Sequence, residues 1–377
     1  MSNTSRLPVE AGELTNAWLT HVLRSGGAIE AADVAGHRWE LLGQQGAAGT
    51  VGRVWLTYDR TTPAAPDSVV IKFATAHALT RAMLHRFGFY RSEVEFYRQL
   101  GADAGIPVPR CFFADIDPES GYFALVLEDL KDCRNSDAGR PSVADVELAI
   151  DHLAPFHAKW WNSPRLRELP WLPYPEGPAF DARIADLQRL FGGAVASVRH
   201  QLGAAFPAVL SAACDGLLAD WTSFVRARLA APLTLAHRDF HGQQIFYPSD
   251  RGGRFAVLDW QTVAIGNGVD DLSRIIAMGL TTADRAAHQQ RLTERYHAGL
   301  VAHGVQDYSL EQCRRDFRMG LASSLLTNVV AAATVDLTLF ADIEATTGIT
   351  LTYAIFDRLA AAFIANDVPG FLTDLRT

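Results

Sequence analysis

The chain has 377 residues, enough for two lobes of ordinary domain size. Its 49% hydrophobic and 20% charged residues are the balance of a globular protein with a substantial core. Lys and Arg number 34 against 42 Asp and Glu, and the net charge of −8 excludes a general nucleic-acid binder, which needs a basic footprint to neutralise phosphates.

The opening MSNTSRLPVEAGELTNAW has no apolar core of signal-peptide length, and no later run reaches the ~18 apolar residues of a membrane span. The cysteines Cys111, Cys133, Cys214 and Cys313 stand far apart without a CxxC pair, the pattern of free thiols in a reducing compartment. A soluble, cytoplasmic protein with no membrane contact is expected.

Helical spacing of Leu14, Trp18, Leu19, Val22 and Leu23 predicts a first helix that stops at Gly26-Gly27. Strand signals follow in WELLG, RVWLTYD and SVVIKFA, then a helix in YRSEVEFYRQL, then strands in RCFFAD and YFALVLEDL around an Asp117–Gly121 turn. After Leu130 the composition turns helical. VADVELAIDHLAPFHAKWW reads as a helix with a kink or break near Pro155, and the segments 180–230 and 281–375 are Ala/Leu/Arg-rich with helical period. Leu321–Ala333 reads as a buried helix, and only the stretch around 233–260 looks extended. The layout is a small mixed lobe, 1–130, and a large helical lobe, 131–377.

Several residues carry possible chemistry. Gly46, Gly49 and Gly52 lie between two strands in GQQGAAGTVGRVW, where bare backbone can approach a phosphate; the same glycines also fit a simple turn. Lys72 sits in the apolar run VVIKF and needs either an edge strand facing water or a counter-charge, for which Glu93 and Glu95 of the next helix are candidates. In HRDFHGQQIFYPSDRGGRFAVLDWQ, Asp239 falls in a polar loop and Asp259 at the end of an apolar strand, with Gln244 in the loop between them. A carboxylate and an amide oxygen are the hard donors magnesium prefers, and Asp239 then remains to accept a hydrogen bond from a hydroxyl. His237 and His241 stand four apart, but Arg238 occupies the place of the glutamate in an HExxH zinc site, and the context is strand and loop. His157, alone in an apolar helix, reads as structural. Trp160, Trp161, Trp171 and Tyr174 fit either an apolar acceptor pocket or the core.

HRDFHGQQ resembles the catalytic loop, usually H-G-D-x-x-x-x-N, of the aminoglycoside phosphotransferase/choline kinase-like superfamily, and within it the ecdysteroid kinase-like family. LDWQTVAIGNGVDDLSRI is similar to its metal-binding segment, and the likeness extends through TNAWLTHVL, SVVIKF, EVEFY, IPVPRCFFAD, LVLEDL and LAPFHAKWWNSPRL, over about residues 14–280. The resemblance implies an α+β, bilobal protein-kinase-like fold, with an antiparallel sheet and one helix in the small lobe and a mostly helical large lobe. It implies ATP and Mg2+ as cofactors and transfer of the γ-phosphate to a hydroxyl of a small-molecule acceptor. Lys72 and Glu93 take the phosphate-binding ion pair, backbone groups of Glu128 to Leu130 the adenine, Asp239 the catalytic place, Gln244 and Asp259 the metal; Asp271 braces the loop. Arg238 replaces the usual glycine. Gln244 replaces the usual asparagine, with the same amide oxygen on a longer stem. With Asp239, Asp259, Lys72 and a glutamate all present, an active enzyme is expected; the competing expectation is a nucleotide-binding pseudokinase with a regulatory role. No A-P-E segment follows Asp259, which argues against a protein kinase.

Overall fold

The computed structural model describes residues 6–42, 49–62, 64–136, 140–334, 350 and 352–375. Contacts divide the chain into two units, Met1–Arg134 with Tyr247–Val263, and Asn135–Phe246 with Ala264–Thr377. The division near Leu130 expected from composition is drawn at Arg134, and Tyr247–Val263 is withdrawn from the C-terminal part. Composition cannot show this, because the returning segment joins the first unit through particular contacts, Val257 N–H on the Pro107 carbonyl at 2.9 Å and Trp260 on Phe96.

In the first unit, β1 (Val34–Leu41), β2 (Gly49–Tyr58), β3 (Ser68–Ala74), β4 (Cys111–Ile116) and β5 (Phe123–Glu128) form an antiparallel sheet in the order β1-β2-β3-β5-β4. Strand β3 is central, and its side chains alternate between the two faces. Val69, Ile71 and Phe73 join the core made with Trp18, Leu19, Val22 and Leu23 of α1 (Asn16–Ser25). Thr15 caps α1 by accepting the Trp18 N–H, and the helix ends at Gly26 as expected. The opposite face of β3, the Lys72 face, is that of α3 (Phe89–Gln99).

The sequence called for one helix between β3 and β4; there are two, α2 (Ala78–Arg86) and α3, separated by Gly88 at φ 78°. ALTRAMLHR buries only Leu84, so it lacks the periodic apolar stripe by which a helix is read.

The second unit is built of helices, chiefly α4 (Val143–Trp160), α5 (Pro178–Leu202), α6 (Ala208–Ala219), α7 (Trp221–Leu229), α8 (Val269–Arg274), α9 (Thr282–Ala302) and α10 (Leu310–Thr334). Helix α4 starts at a capping box of Ser142 and Asp145 and is continuous through Pro155, so of the expected kink or break the break does not occur. The segment read as a buried helix lies within α10, with Leu321, Leu325 and Val329 inside. Strands Thr234–Ala236 and Ala264–Gly266 pair antiparallel, so the loop after Ala236 and the turn into α8 spring from one small ribbon. Among the described residues, no single helix is long and apolar enough to cross a membrane.

Candidate active site

In the first unit Lys72 is neither at an edge nor in water. It occupies the central strand, paired with Val51 on one side and Leu125 on the other. Its Nζ lies 2.9 and 2.8 Å from the two Glu93 carboxylate oxygens and 2.8 Å from Asp259 Oδ1. Burial disfavours the ammonium, but Asp259 and then Glu93 outweigh it and raise its pKa. Burial, with the Asp259 charge behind it, pushes the Glu93 carboxyl up, and Lys72 opposes that rise. Glu95, the other candidate, lies on a different part of α3 and bonds Arg98 and Gln99.

Asp259 reaches this place by local packing. It has a left-handed backbone, φ 61°, at the end of strand Ala256–Val257, and the next residue, Trp260, stacks on Phe96 at 4.0 Å between ring centroids with planes 7° apart. Glu93 and Phe96 are three residues apart and share one face of α3, so that face supplies both the counter-charge and the stacking partner. Gln261 adds a detail that sequence reading missed. Its Nε2 lies 3.4 Å from Asp259 Oδ2, and its Oε1 is buried with no hydrogen-bond partner among the described residues. The amide nitrogen is what faces the carboxylate, and the orphan oxygen on its other side is a hard donor left without a partner.

The glycine reading changes. Gly46 lies outside the described residues. Gly49 and Gly52 are inside β2, opposite Ala74 and Ile71, rather than in a loop between strands. A Cβ on Gly52 would meet the Trp39 indole at 2.2 Å, so cross-strand packing alone accounts for that glycine. At the end of β5, Glu128 accepts from the Arg110 N–H at 2.9 Å and from Arg254 at 2.6 Å, and the Leu130 carbonyl accepts the Cys133 N–H at 2.9 Å. Between them Asp129 binds Arg53 at 2.5 Å and Ser68 at 2.6 Å, which fixes the chain as it leaves the sheet.

In the second unit the loop from His237 is held from beneath by Asp271. One carboxylate oxygen accepts the Arg238 N–H and the other the His237 N–H, each at 2.7 Å, and His157 Nε2 stands 3.3 Å from the second. Burial alone would raise the Asp271 pKa; His157 and the loop's N–H groups overcome it and lower it. His157 is fully buried, bonded through Nδ1 to the Tyr296 hydroxyl at 2.7 Å, and is structural as read. Gly268 is required here, because a Cβ would fall 2.6 Å from the His157 ring.

Asp239 follows Arg238, whose φ of 70° is the left-handed backbone that a glycine at that place would adopt without strain. Its carboxylate faces Arg274 of α8, Nη2 to Oδ1 at 2.5 Å, with His241 Nε2 3.5 Å from Oδ2. Burial would raise the Asp239 pKa, but Arg274 and then His241 hold it well below the usual carboxylate range. Arg274 is a residue that sequence reading did not single out; its position one turn after the Asp270-Asp271 pair was the available signal. Gln244 closes the short turn Gly242–Gln244, which Asn135 pins by donating to the Gly242, Gln243 and Ile245 carbonyls at 3.3, 3.1 and 2.9 Å. Gln244 belongs to the second unit and Asp259 to the first.

No group of three or more His, Cys, Asp or Glu with metal-ligand geometry occurs among the described residues. Trp160 and Trp171 are buried core residues, Trp161 packs edge-on against Tyr308, and Tyr174 lies under Arg167.

Three comparisons bear on this geometry. A kinase-like protein of Caenorhabditis elegans, itself uncharacterized, is 24% identical over 243 residues, covering 60% of this chain and 61% of that protein. The chain thus spans about three-fifths of the curated relative it matches. A solved structure of a candidate aminoglycoside phosphotransferase from Ralstonia eutropha superposes over 95% of this chain and 96% of that one, with a TM-score of 0.50 at 12% identity. This likeness shows the protein-kinase-like fold expected from the sequence. The profile of the ecdysteroid kinase-like family matches residues 44–306, well over half of the sequence, and the chain belongs to that family.

Proposed function

We propose that the protein is a phosphotransferase that moves the γ-phosphoryl group of ATP to a hydroxyl of a small-molecule acceptor. The observation that carries this reading is the Lys72 ammonium held between Glu93 and Asp259 on the central strand. A charged group built into an apolar sheet at this cost is kept for a phosphate. Family membership and the kinase-like relative support it.

In this reading Lys72 meets the nucleotide's phosphates and Asp239 accepts the hydrogen bond of the acceptor hydroxyl. The hydroxyl oxygen bonds to the γ-phosphorus, the bond from that phosphorus to the bridging oxygen of ADP breaks, and the hydroxyl proton leaves to Asp239. Because Arg274 keeps Asp239 ionised, the carboxylate is always ready to orient the hydroxyl but is a weak base. That suits a loose transition state, in which the proton departs late. Asp259 and the orphan oxygen of Gln261 in the first unit, and the Gln244 amide of the second, are each hard oxygen donors of the kind magnesium takes. When bound, the ion neutralises charge on the β- and γ-phosphates.

The test is ATP consumption across a panel of hydroxylated metabolites, with Asp239→Asn alongside. A substrate turned over by the wild type and not by the variant, at equal ATP affinity, is the expected result. Full turnover by Asp239→Asn would remove that residue's role. ATP binding that is indifferent to magnesium, with no turnover, would favour the pseudokinase.

A further inference from the structure

Next to Asp239 along the chain, Arg238 extends its side chain to Asp270, with Nη1 2.7 Å from Oδ2. Arg228 of α7 reaches the same oxygen through Nη2 at 2.6 Å. Two guanidinium groups therefore crowd one oxygen of a carboxylate that is itself only 5% exposed, while Asp270 Oδ1 is buried with no hydrogen-bond partner among the described residues. Ser323, 3.4 Å from the same oxygen, adds a dipole and no charge. Arg228, Arg238 and Asp270 together carry one uncompensated positive charge. The Nε of Arg228 is buried with no hydrogen-bond partner among the described residues. Burial and the neighbouring Arg238 charge depress the Arg228 pKa to about 10, the direction expected where a cation lacks enough anion. Arg183 of α5 also feels the Arg238 charge.

Such an arrangement is costly. A partly buried guanidinium that shares one carboxylate oxygen and leaves its buried Nε without a partner loses stability that an apolar residue of similar size would keep. Arg238 adds the strain of a left-handed backbone. A cationic acceptor is repelled here and a neutral one gains nothing from the charge, whereas a carboxylate, sulfate or phosphate completes both guanidinium forks, a pairing that arginine makes bidentately.

We propose that the acceptor carries an anionic group bound by Arg228 and Arg238, which places its hydroxyl beside Asp239. This inference rests on the reading of Asp239 as the residue at the acceptor hydroxyl, but its test does not require turnover.

The experiment titrates sodium sulfate, phosphate and acetate, at ionic strength held constant with chloride, into the ADP-saturated full chain, with melting temperature and calorimetric affinity as readouts. Saturation with ADP fills the α- and β-phosphate places, and the response of the shift to Arg228→Gln separates an anion at this cluster from one in the open γ-phosphate place. A rise in melting temperature with sulfate or phosphate but not acetate points to a tetrahedral oxyanion, and the reverse to a carboxylate. Arg228→Gln is expected to weaken the anion at least about tenfold, the loss of one charge-assisted contact. Asp270→Asn removes the competing carboxylate and is expected to bind the anion more tightly than wild type, with a larger thermal rescue. A purely structural cluster predicts the opposite, since both variants would then be destabilised and neither rescued by the anion. No anion-dependent shift in the wild type, or an unchanged shift in Arg228→Gln with a weakened one in Asp270→Asn, overturns the proposal. Turnover of a cationic or neutral acceptor that is insensitive to Arg228→Gln also overturns it and leaves the phosphotransferase reading intact.

Discussion

Arg274 meets Asp239 at 2.5 Å, one turn of α8 beyond the Asp271 that holds the same loop by its backbone. One short helix thus fixes both the position and the ionisation of the loop carboxylate. Its folded pKa is depressed, so the stabilisation from this pair is complete at neutral pH. It is lost only as pH falls below the ordinary carboxylate value of ~4 and through the folded one. Arg274→Gln is expected to move the acid limb of the pH–rate profile upward toward neutrality, because burial then acts unopposed by the guanidinium, and Arg274→Lys to return it part of the way. A profile unmoved by Arg274→Gln would sever the link.

Removing one member of the Lys72 cluster leaves a buried charge without its partner. Glu93→Ala is expected to destabilise the protein by about 3–5 kcal/mol, read as a lower urea midpoint at unchanged slope. Lys72→Met combined with Glu93→Gln is expected to cost less than the sum of the single changes, since the two groups are in direct contact. Additive losses would mean that the groups do not act as a pair.

The Phe96–Trp260 stack is the apolar counterpart of that ion cluster. Trp260→Ala is expected to cost about 3–5 kcal/mol in a thermal or urea melt, most of it from the lost burial. The stack itself contributes roughly 0.5–1.5 kcal/mol, so Trp260→Phe is expected to cost far less.

The proposed oxygen donors predict a magnesium dependence of ATP binding. ATP is expected to raise the melting temperature more with magnesium than with EDTA, and Asp259→Asn to erase that difference. Gln244→Asn, which restores the usual shorter amide, is expected to preserve it, and Gln244→Ala to weaken it. If Gln244→Ala behaves as wild type, the amide is not a ligand.

Much of the first unit was legible because its strands and helices alternate or repeat in apolar character, as β3 and α1 do. Lys72 was legible as an anomaly, a charge within such a run, but its partner was not. Glu93 and Glu95 look alike in sequence, and only the facing of α3 decides between them. Gly52 misled for the opposite reason, since the demand on it comes from Trp39 across the strand pair rather than from its own neighbours. Helix α2 carries too little apolar periodicity to announce itself. Arg274, Arg228, Asn135 and Gln261 act through contacts made by folding, three of them with residues remote in the chain; Arg274 alone carried a local signal, its place one turn after the acid pair, and nothing in the local sequence of the other three marks them. The acid pair Asp270-Asp271 reads as an ordinary first turn, yet its members face different ways: Asp271 takes the loop's backbone and Asp270 its arginine.

The return of Tyr247–Val263 to the first unit has a consequence for how the protein is made. When Arg134 leaves the ribosome, Phe96 has no ring to cover it and Lys72 has only one of its two carboxylates. The missing parts appear only after residues 135–246 have been synthesised, a wait on the order of ten seconds at roughly 5–20 residues per second. The Phe96 face of α3 therefore stays uncovered throughout that interval, and a fragment ending at Arg134 would carry the same open face permanently. Completion of the Lys72 cluster is a late event in the life of the chain, and it couples the assembly of this buried charge to the synthesis of the loop that bears Asp239.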